Sequence, residues 1–140
     1  MLIIRSRILH DPFSSFRSKS NIEKIIKGEK TIELRFSRTR HMPYQKIKRG
    51  DIVLLKPVHG HIIGQVEVEN VLFYDNLTPE AIGKMRQEYG KDAEVGDDYW
   101  QKKSKSKYAT LLFMRHPERY IIPLKSAKKD RRHWVEIKSA

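Results

Sequence analysis

The feature of this sequence that most constrains its fold is a junction between a helix and a strand at Gly28. Ile22, Ile25 and Ile26 repeat at helical spacing, which predicts a short helix with one apolar side. Gly28 follows at the position where helices commonly end in a left-handed residue. Residues 31–36 then alternate between polar and apolar side chains, as a half-buried strand does. The stretch therefore predicts a helix, a glycine stop and a strand in direct succession.

The alternating strand has two chemically different faces. Its apolar face, formed by Ile32, Leu34 and Phe36, is suited to a hydrophobic core. Hydrogen-bonding side chains gather on the other face and in the preceding turn: Lys30, Thr31, Glu33 and Arg35. We expect Lys30 to extend from the turn into a cleft without being buried. The polar group is interpreted as a binding site, and the alternative is a structural ion pair that closes one end of a barrel.

Further helices and strands follow from capping signals and apolar runs. Ser20 to Glu23 has the spacing of a capping box, which predicts the start of the first helix. A second helix is predicted from Thr78, an N-cap before a proline, to a stop at Gly90. Strands are predicted at residues 2–9, 52–55, 62–73, 109–114, 120–124 and 134–137. A change of phase near Asn70 predicts a β-bulge, a device that bends strands in small barrels.

Length and composition bound the class of protein. A chain of 140 residues suits one core, so we expect residues 1–140 to form one domain and a monomer. No apolar run approaches the ~20 residues of a membrane helix, and the apolar start is interrupted by Arg5 and Arg7. We therefore expect a cytoplasmic protein without a membrane partner. The absence of cysteine excludes disulfides, thiol nucleophiles and thiolate zinc sites.

The formal net charge of +12 is the strongest compositional signal. A basic excess of this size favours a polyanionic partner, and nucleic acid is the commonest one. The alternative is a basic protein whose charge serves only solubility. The loop at residues 37–48 mixes cations with an aromatic ring: Arg38, Arg40, His41, Tyr44, Lys46 and Lys48. This loop is the best candidate for contacting RNA or DNA, although a merely solvated loop is also charged.

Three segments resemble a known family. They are the Gly-x-Lys-Thr-x-Glu-x-Arg string from Gly28 to Arg35, the Gly50 to Val53 turn and strand, and the later Lys107 to Thr110 segment. Their order and spacing, across roughly Ile22 to Met114, resemble the ASCH domains of the PUA-like superfamily. The resemblance implies an α+β fold: a small PUA-like β-barrel of about five or six mostly antiparallel strands with two or three flanking helices. It also implies RNA binding or the handling of modified nucleosides in a cleft beside the first helix.

The resemblance also brings an enzymatic alternative. One bacterial branch hydrolyses N4-acetylcytidine and uses a lysine with a threonine three positions later, together with a glutamate in the later helix. Here Lys30 matches the lysine, but Glu33 stands at the threonine position, so we do not transfer this activity. The later glutamate could be Glu80 or Glu88. Attack by water with Lys30 and Glu33 as catalytic groups remains the alternative, as does the ribonuclease-like cleavage of another branch.

We interpret the chain as a binding module for RNA or another nucleic acid, or for a modified nucleotide. The base would lie in a cleft lined by Lys30, Thr31, Glu33 and Arg35. Phosphates would contact Arg38, Arg40, Lys105 and Lys107, and the base would stack on Tyr44, Trp100 or Tyr108. A small hydrolase of RNA or of a modified nucleoside is the alternative. A partner-protein adaptor is disfavoured because no exposed apolar stripe is evident.

Cofactor and metal motifs are not evident in the sequence. It has no phosphate-cradling glycine loop, dinucleotide fingerprint or nucleophile elbow, so we expect no cofactor. His59 and His61 share one face at strand spacing and could chelate a metal. A stable site usually requires three or four protein ligands, so we interpret this pair as part of a solvated turn and expect no metal.

Overall fold

The structure is a computed structural model that describes residues 5–10, 16–40, 47–57, 60–125 and 134–138. In chain order the elements are β1 (Arg5–His10), α1 (Phe16–Ile26), β2 (Ile32–Ser37), β3 (Ile52–Lys56), β4 (Ile62–Tyr74), α2 (Pro79–Ala93), α3 (Asp97–Lys103), β5 (Tyr108–Leu124) and β6 (Trp134–Lys138). Tyr44 and His59, which the sequence analysis singled out, lie outside the described residues.

The six strands form one sheet in the order β2-β5-β4-β3-β1-β6. Neighbouring strands are antiparallel except β1 and β3, which are parallel. Strands β2, β5, β4 and β3 form a curled antiparallel half-barrel. The predicted α+β fold of mostly antiparallel strands with flanking helices is confirmed. Strand β2 lies at one end of the sheet and pairs only with β5 among the described strands.

The sheet separates two hydrophobic cores. The face that packs on α1, which we call the α1 face, contributes to a core of Ile22, Ile25, Ile47, Val53, Leu55, Val66, Val68, Leu112 and Met114. The opposite face packs on α2 and α3 and contributes to a core of Ile32, Leu34, Phe36, Leu77, Ile82, Met85, Ala93, Trp100, Ala109 and Leu111. The apolar residues of β2 are buried in this second core, as their alternation predicts.

The two glycines that were predicted to form turns, Gly28 and Gly50, have the backbone conformation that such turns require. Gly28 has φ of +78° and Gly50 has φ of +88°, a left-handed backbone that glycine adopts without steric cost. The amide of Gly28 donates to the Ile25 carbonyl at 3.0 Å and closes α1. The helix therefore ends where predicted, and β2 follows after a short turn.

The beginning of α1 and the end of α2 differ from the prediction. Helix α1 begins at Phe16 rather than at Ser20, because Arg17 and Lys19 favour helix and no proline lies between Pro12 and the end of the helix. Thr78 caps α2 as predicted, with its hydroxyl accepting from the Ala81 amide at 3.2 Å. The predicted stop at Gly90 is wrong.

Helix α2 continues past Gly90 to Ala93, which is fully buried. The left-handed residue Glu94 then closes it with a bond to the Gly90 carbonyl. Helix α3 was not predicted at all. No helix in the described part of the chain combines the length and apolarity needed to cross a bilayer.

Strands β4 and β5 pair over most of their length with interruptions. The predicted bulge near Asn70 is confirmed as a register shift between Val68 and Asn70. The two predicted strands at 109–114 and 120–124 are one strand, because Arg115 and Glu118 still pair with β4.

The far end of β5 also corrects the expectation of no exposed apolar stripe. Ile121 is 100% exposed, and Ile122 and Leu124 are exposed beside it. The hydrophobic residues of this end therefore lie on the surface rather than in either core.

Candidate nucleic-acid interface

Glu33 and Arg35 lie on the α1 face of the sheet, beside the first core. Glu33 is opposite Leu112 on β5, and Arg35 is opposite Thr110. The Arg35 Nε atom lies 3.8 Å from the Glu33 Oε1 atom, and both side chains are largely buried. The predicted pairing of these two charges is therefore present in the geometry.

Lys30 lies in a different environment from the one predicted. Its side chain is only 2% exposed, and its ammonium donates to the Ala93 carbonyl at the end of α2. The last carbonyls of a helix have no partner within that helix, so a cation is a favourable donor there. The expectation that Lys30 extends unburied into a cleft is wrong. Its assignment as a ligand-binding or catalytic group stays a prediction.

Thr31 links β2 to α2 and β5 through its backbone. Its side chain is exposed, and its backbone amide donates to the Asp92 carbonyl at 3.0 Å. Its own carbonyl accepts from the Met114 amide at 2.9 Å, which extends the pairing of β2 with β5. Lys30 and Thr31 together fasten the start of β2 to the end of α2. This junction fixes the direction in which β2 presents its later residues.

The other predicted phosphate ligands gather at the opposite end of β2. Ser37, the last residue of β2, is opposite Tyr108, the first residue of β5, and the Lys107 amide donates to the Ser37 carbonyl at 3.0 Å. The loops after β2 and before β5 are therefore adjacent. They bring together four exposed cations, which we call the basic cluster: Arg38, Arg40, Lys105 and Lys107.

Tyr108 supplies a half-buried aromatic ring at the basic cluster. The guanidinium carbon of Arg40 lies 5.5 Å from the centre of this ring, a cation–π distance. An aromatic ring flanked by cations can stack on a base while the cations contact phosphates. Trp100, by contrast, is only 5% exposed and packs edge-on against Phe36 in the second core. Its indole therefore does not lie at the surface that the basic cluster forms.

The family is decided by a comparison with protein-family models, in which the ASCH domain model matches residues 18–119. This chain belongs to the ASCH domain family. The match covers well over half of the chain and includes every site residue predicted from the sequence. Strand β6 and the exposed apolar end of β5 lie beyond it.

Solved structures, two of ASCH proteins among them, share the fold of this chain at low identity. The crystal structure of ASCH from Zymomonas mobilis has a TM-score of 0.64 and 16% identity, covering 86% of this chain and 73% of that one. A protein from Enterococcus faecalis has a TM-score of 0.59 and 13% identity, covering 87% and 85%. An ASCH domain from Lactobacillus crispatus has a TM-score of 0.50 and 13% identity, covering 77% and 78%. The expected PUA-like fold is confirmed. Among proteins of curated function, none matches the chain significantly.

Sequence reasoning did not single out two residues of α3 in this ASCH domain, one of which contacts β2. The Tyr99 hydroxyl donates to the Leu34 carbonyl of β2 at 3.0 Å, and the Lys103 ammonium lies 5.6 Å from the centre of the Tyr99 ring. Burial lowers the pKa of Lys103, and the charge of Arg35 lowers it further. Tyr99 and Lys103 are four residues apart, the spacing that places two side chains on one face of a helix. The helix itself was missed, so this spacing was not used.

Proposed function

We propose that this ASCH domain is a binding module for single-stranded RNA. The observation that carries the proposal is the basic cluster, in which two adjacent loops hold four exposed cations, one of which, Arg40, lies over the ring of Tyr108. The formal net charge of +12 favours the same class of ligand. Recognition of an unpaired strand requires cations that contact the RNA backbone and an aromatic ring that stacks on a base.

The geometry at Lys30 supports a binding module over a hydrolase. A catalytic base or acid must come within hydrogen-bonding distance of the substrate. The ammonium of Lys30 is buried and donates to the Ala93 carbonyl, and Glu33 lies beside Arg35. The proposed function therefore assigns these residues to holding β2 in place, and assigns ligand contact to the basic cluster.

The test measures binding and turnover together. Purified protein is titrated at low salt into a single-stranded RNA, the same sequence as a duplex and the same sequence as single-stranded DNA. We expect salt-sensitive binding that is tightest for single-stranded RNA. The same samples, and a panel of modified nucleosides, are analysed for products by mass spectrometry, and we expect none.

A double substitution, Arg38→Ala with Lys105→Ala, tests the basic cluster against a matched control. The control, Lys84→Ala with Lys91→Ala, removes two exposed cations from α2. We expect the cluster variant to bind RNA about 100-fold more weakly at low salt and the control to bind nearly as well as the wild type. Equal losses of RNA affinity in the two variants would show that binding depends only on the net charge of the protein. Product formation that Lys30→Ala abolishes would favour the hydrolase.

A further inference from the structure

An exposed carboxylate lies beside the basic cluster, at the end of β4. Asp75 directly follows Tyr74, the last residue of β4, and its side chain is exposed. Tyr74 is opposite Ala109 on β5, so Asp75 comes next to Tyr108 on the side of β5 that faces β4. The loop that holds Arg40 lies on the other side of Tyr108, next to β2. Tyr108 therefore lies between a cationic loop and an acidic residue.

The loop that carries Asp75 is fixed by its next two residues. Leu77 is only 4% exposed and belongs to the second core. Its amide donates to the Lys107 carbonyl at 3.0 Å, so the loop stays against the start of β5. Asn76 has φ of +47°, a left-handed conformation that asparagine tolerates better than most residues. The folded protein therefore sets the position of Asp75 beside Tyr108 before any ligand binds.

The charge of Asp75 has a defined effect on a nucleic acid at this surface. Within the part of the chain that the structure describes, its carboxylate forms no ion pair or hydrogen bond. A negative charge here weakens the attraction of the basic cluster for phosphates. The same charge strengthens binding when it accepts hydrogen bonds from a base, since bonds to an ionised acceptor are the stronger ones. Because neighbouring strands lie about 4.8 Å apart, the carboxylate is within reach of a base that stacks on Tyr108.

We propose that Asp75 makes this RNA-binding surface selective for guanine. The inference rests on the proposed function and names the base that stacks on Tyr108. A carboxylate has two acceptor oxygens and no donor. Guanine is the one common RNA base whose Watson–Crick edge offers two adjacent donors, N1–H and the N2 amino group, so both oxygens are satisfied at once. Adenine, cytosine and uracil each place an acceptor next to the donor on that edge, and this acceptor repels a carboxylate.

The experiment compares single-stranded RNAs that differ at one central position of an oligouridine: guanine, adenine, cytosine or inosine. We expect the wild type to bind the guanine RNA about tenfold more tightly than the adenine and cytosine RNAs. Inosine keeps N1–H but lacks the N2 amino group, so it should lose most of this gain. A wild type that binds all four RNAs equally, or inosine as well as guanine, would overturn the inference and leave the proposed function intact.

Asp75→Asn tests the carboxylate against a matched control. The amide keeps the size of the side chain but replaces one acceptor with a donor, so the preference for guanine should be lost. Binding to the adenine RNA should become about twofold tighter at low salt, because the variant has one negative charge fewer. The control Asp92→Asn removes an exposed carboxylate at the end of α2, next to the start of β2, and should retain the preference. A guanine preference that survives Asp75→Asn would overturn the inference.

A measurement with mononucleotides separates this inference from the proposed function. GMP, AMP, CMP and UMP are each titrated into the wild type while the NMR signals of Tyr108 and Asn76 are followed. We expect GMP to shift both signals at about tenfold lower concentration than the others, and Asp75→Asn to remove the difference. Selective binding of GMP without binding of single-stranded RNA would support the guanine site and refute the RNA-binding module. Equal responses to the four nucleotides, or none, would refute the site even if RNA binds.

Discussion

Two groups of charged residues at opposite ends of β2 differ in burial: one group is bonded within the protein, and the other is exposed to solvent. At the start of the strand, Lys30 is buried against the Ala93 carbonyl, and Glu33 follows beside Arg35. At its end, Arg38 and Arg40 are exposed in the loop that meets Tyr108. A conspicuous motif thus contains residues that hold the fold, while the less distinctive loop beside it exposes its charges to solvent.

The difference teaches which measurement should respond to each group. A buried ammonium has exchanged water for a protein carbonyl, so its removal exposes an unmet hydrogen-bonding group and weakens the fold. An exposed cation keeps its water and contributes chiefly to the field that attracts a polyanion. Substitutions at the two ends of β2 should therefore separate stability from affinity.

The largest expected effect is at Lys30. Lys30→Ala removes a buried side chain and leaves the Ala93 carbonyl without this donor, so we expect the free energy of unfolding to fall by about 2–4 kcal/mol. Urea denaturation measures this loss. Lys27→Ala, on the exposed turn before Gly28, is the control and should change stability by less than about 0.5 kcal/mol. Unchanged stability together with lost RNA binding would instead place Lys30 in contact with the ligand.

Tyr108 should affect affinity at the opposite end of β2. Tyr108→Leu removes the aromatic ring beneath Arg40, and we expect RNA binding to weaken by about 1–3 kcal/mol, the usual contribution of one stacked base. Fluorescence titration with a single-stranded RNA measures the change. Tyr108→Phe keeps the ring and should bind like the wild type. If both substitutions weaken binding equally, the hydroxyl rather than the ring contacts the RNA.

Lys107 should show the signature of a phosphate contact. Lys107→Ala keeps the backbone amide that donates to the Ser37 carbonyl but removes one exposed charge. We expect affinity to fall about tenfold at low salt, which is ~1.4 kcal/mol, and the slope of log affinity against log salt to become shallower by ~0.7. Lys84→Ala should leave the slope unchanged. If the slope became shallower by the same amount in both variants, Lys107 would have no specific contact with the RNA.

The smallest expected effect is at Tyr99, which belongs to neither end of β2. Tyr99→Phe removes the hydroxyl that donates to the Leu34 carbonyl but keeps the ring beneath Lys103. We expect a loss of about 0.5–1 kcal/mol in the free energy of unfolding, since a single neutral hydrogen bond contributes little net stability. RNA affinity should not change. Reduced affinity with normal stability would indicate that the hydroxyl contacts the ligand.

Local signals predicted the elements around the motif because their causes are local. The φ of Gly28, the alternation of β2 and the cap at Thr78 each depend on a few neighbouring residues. The shift of phase near Asn70 likewise marks a bulge within one strand. Gly90 was misread because a glycine within a helix and a glycine after it look alike in sequence. The burial of Ala93, which carries the helix further, depends on tertiary packing.

The candidate site was only partly predictable for the same reason. Spacing along the chain placed Glu33 and Arg35 on one face, and the basic loop was recognised from its composition. Burial of Lys30 depends on the end of α2, a partner 63 residues away, and no pattern near Lys30 identifies it. The bond from the Tyr99 hydroxyl to the Leu34 carbonyl likewise joins residues that are 65 positions apart, which only the folded chain shows.

The bond between Tyr99 and Leu34 has a consequence for the behaviour of the protein in concentrated solution. A terminal strand offers its outward carbonyls and amides to any extended chain, which makes such strands common starting points for aggregation. At β2 the Leu34 carbonyl already accepts from the Tyr99 hydroxyl of α3. This bond leaves the strand one carbonyl fewer with which an extended chain can pair.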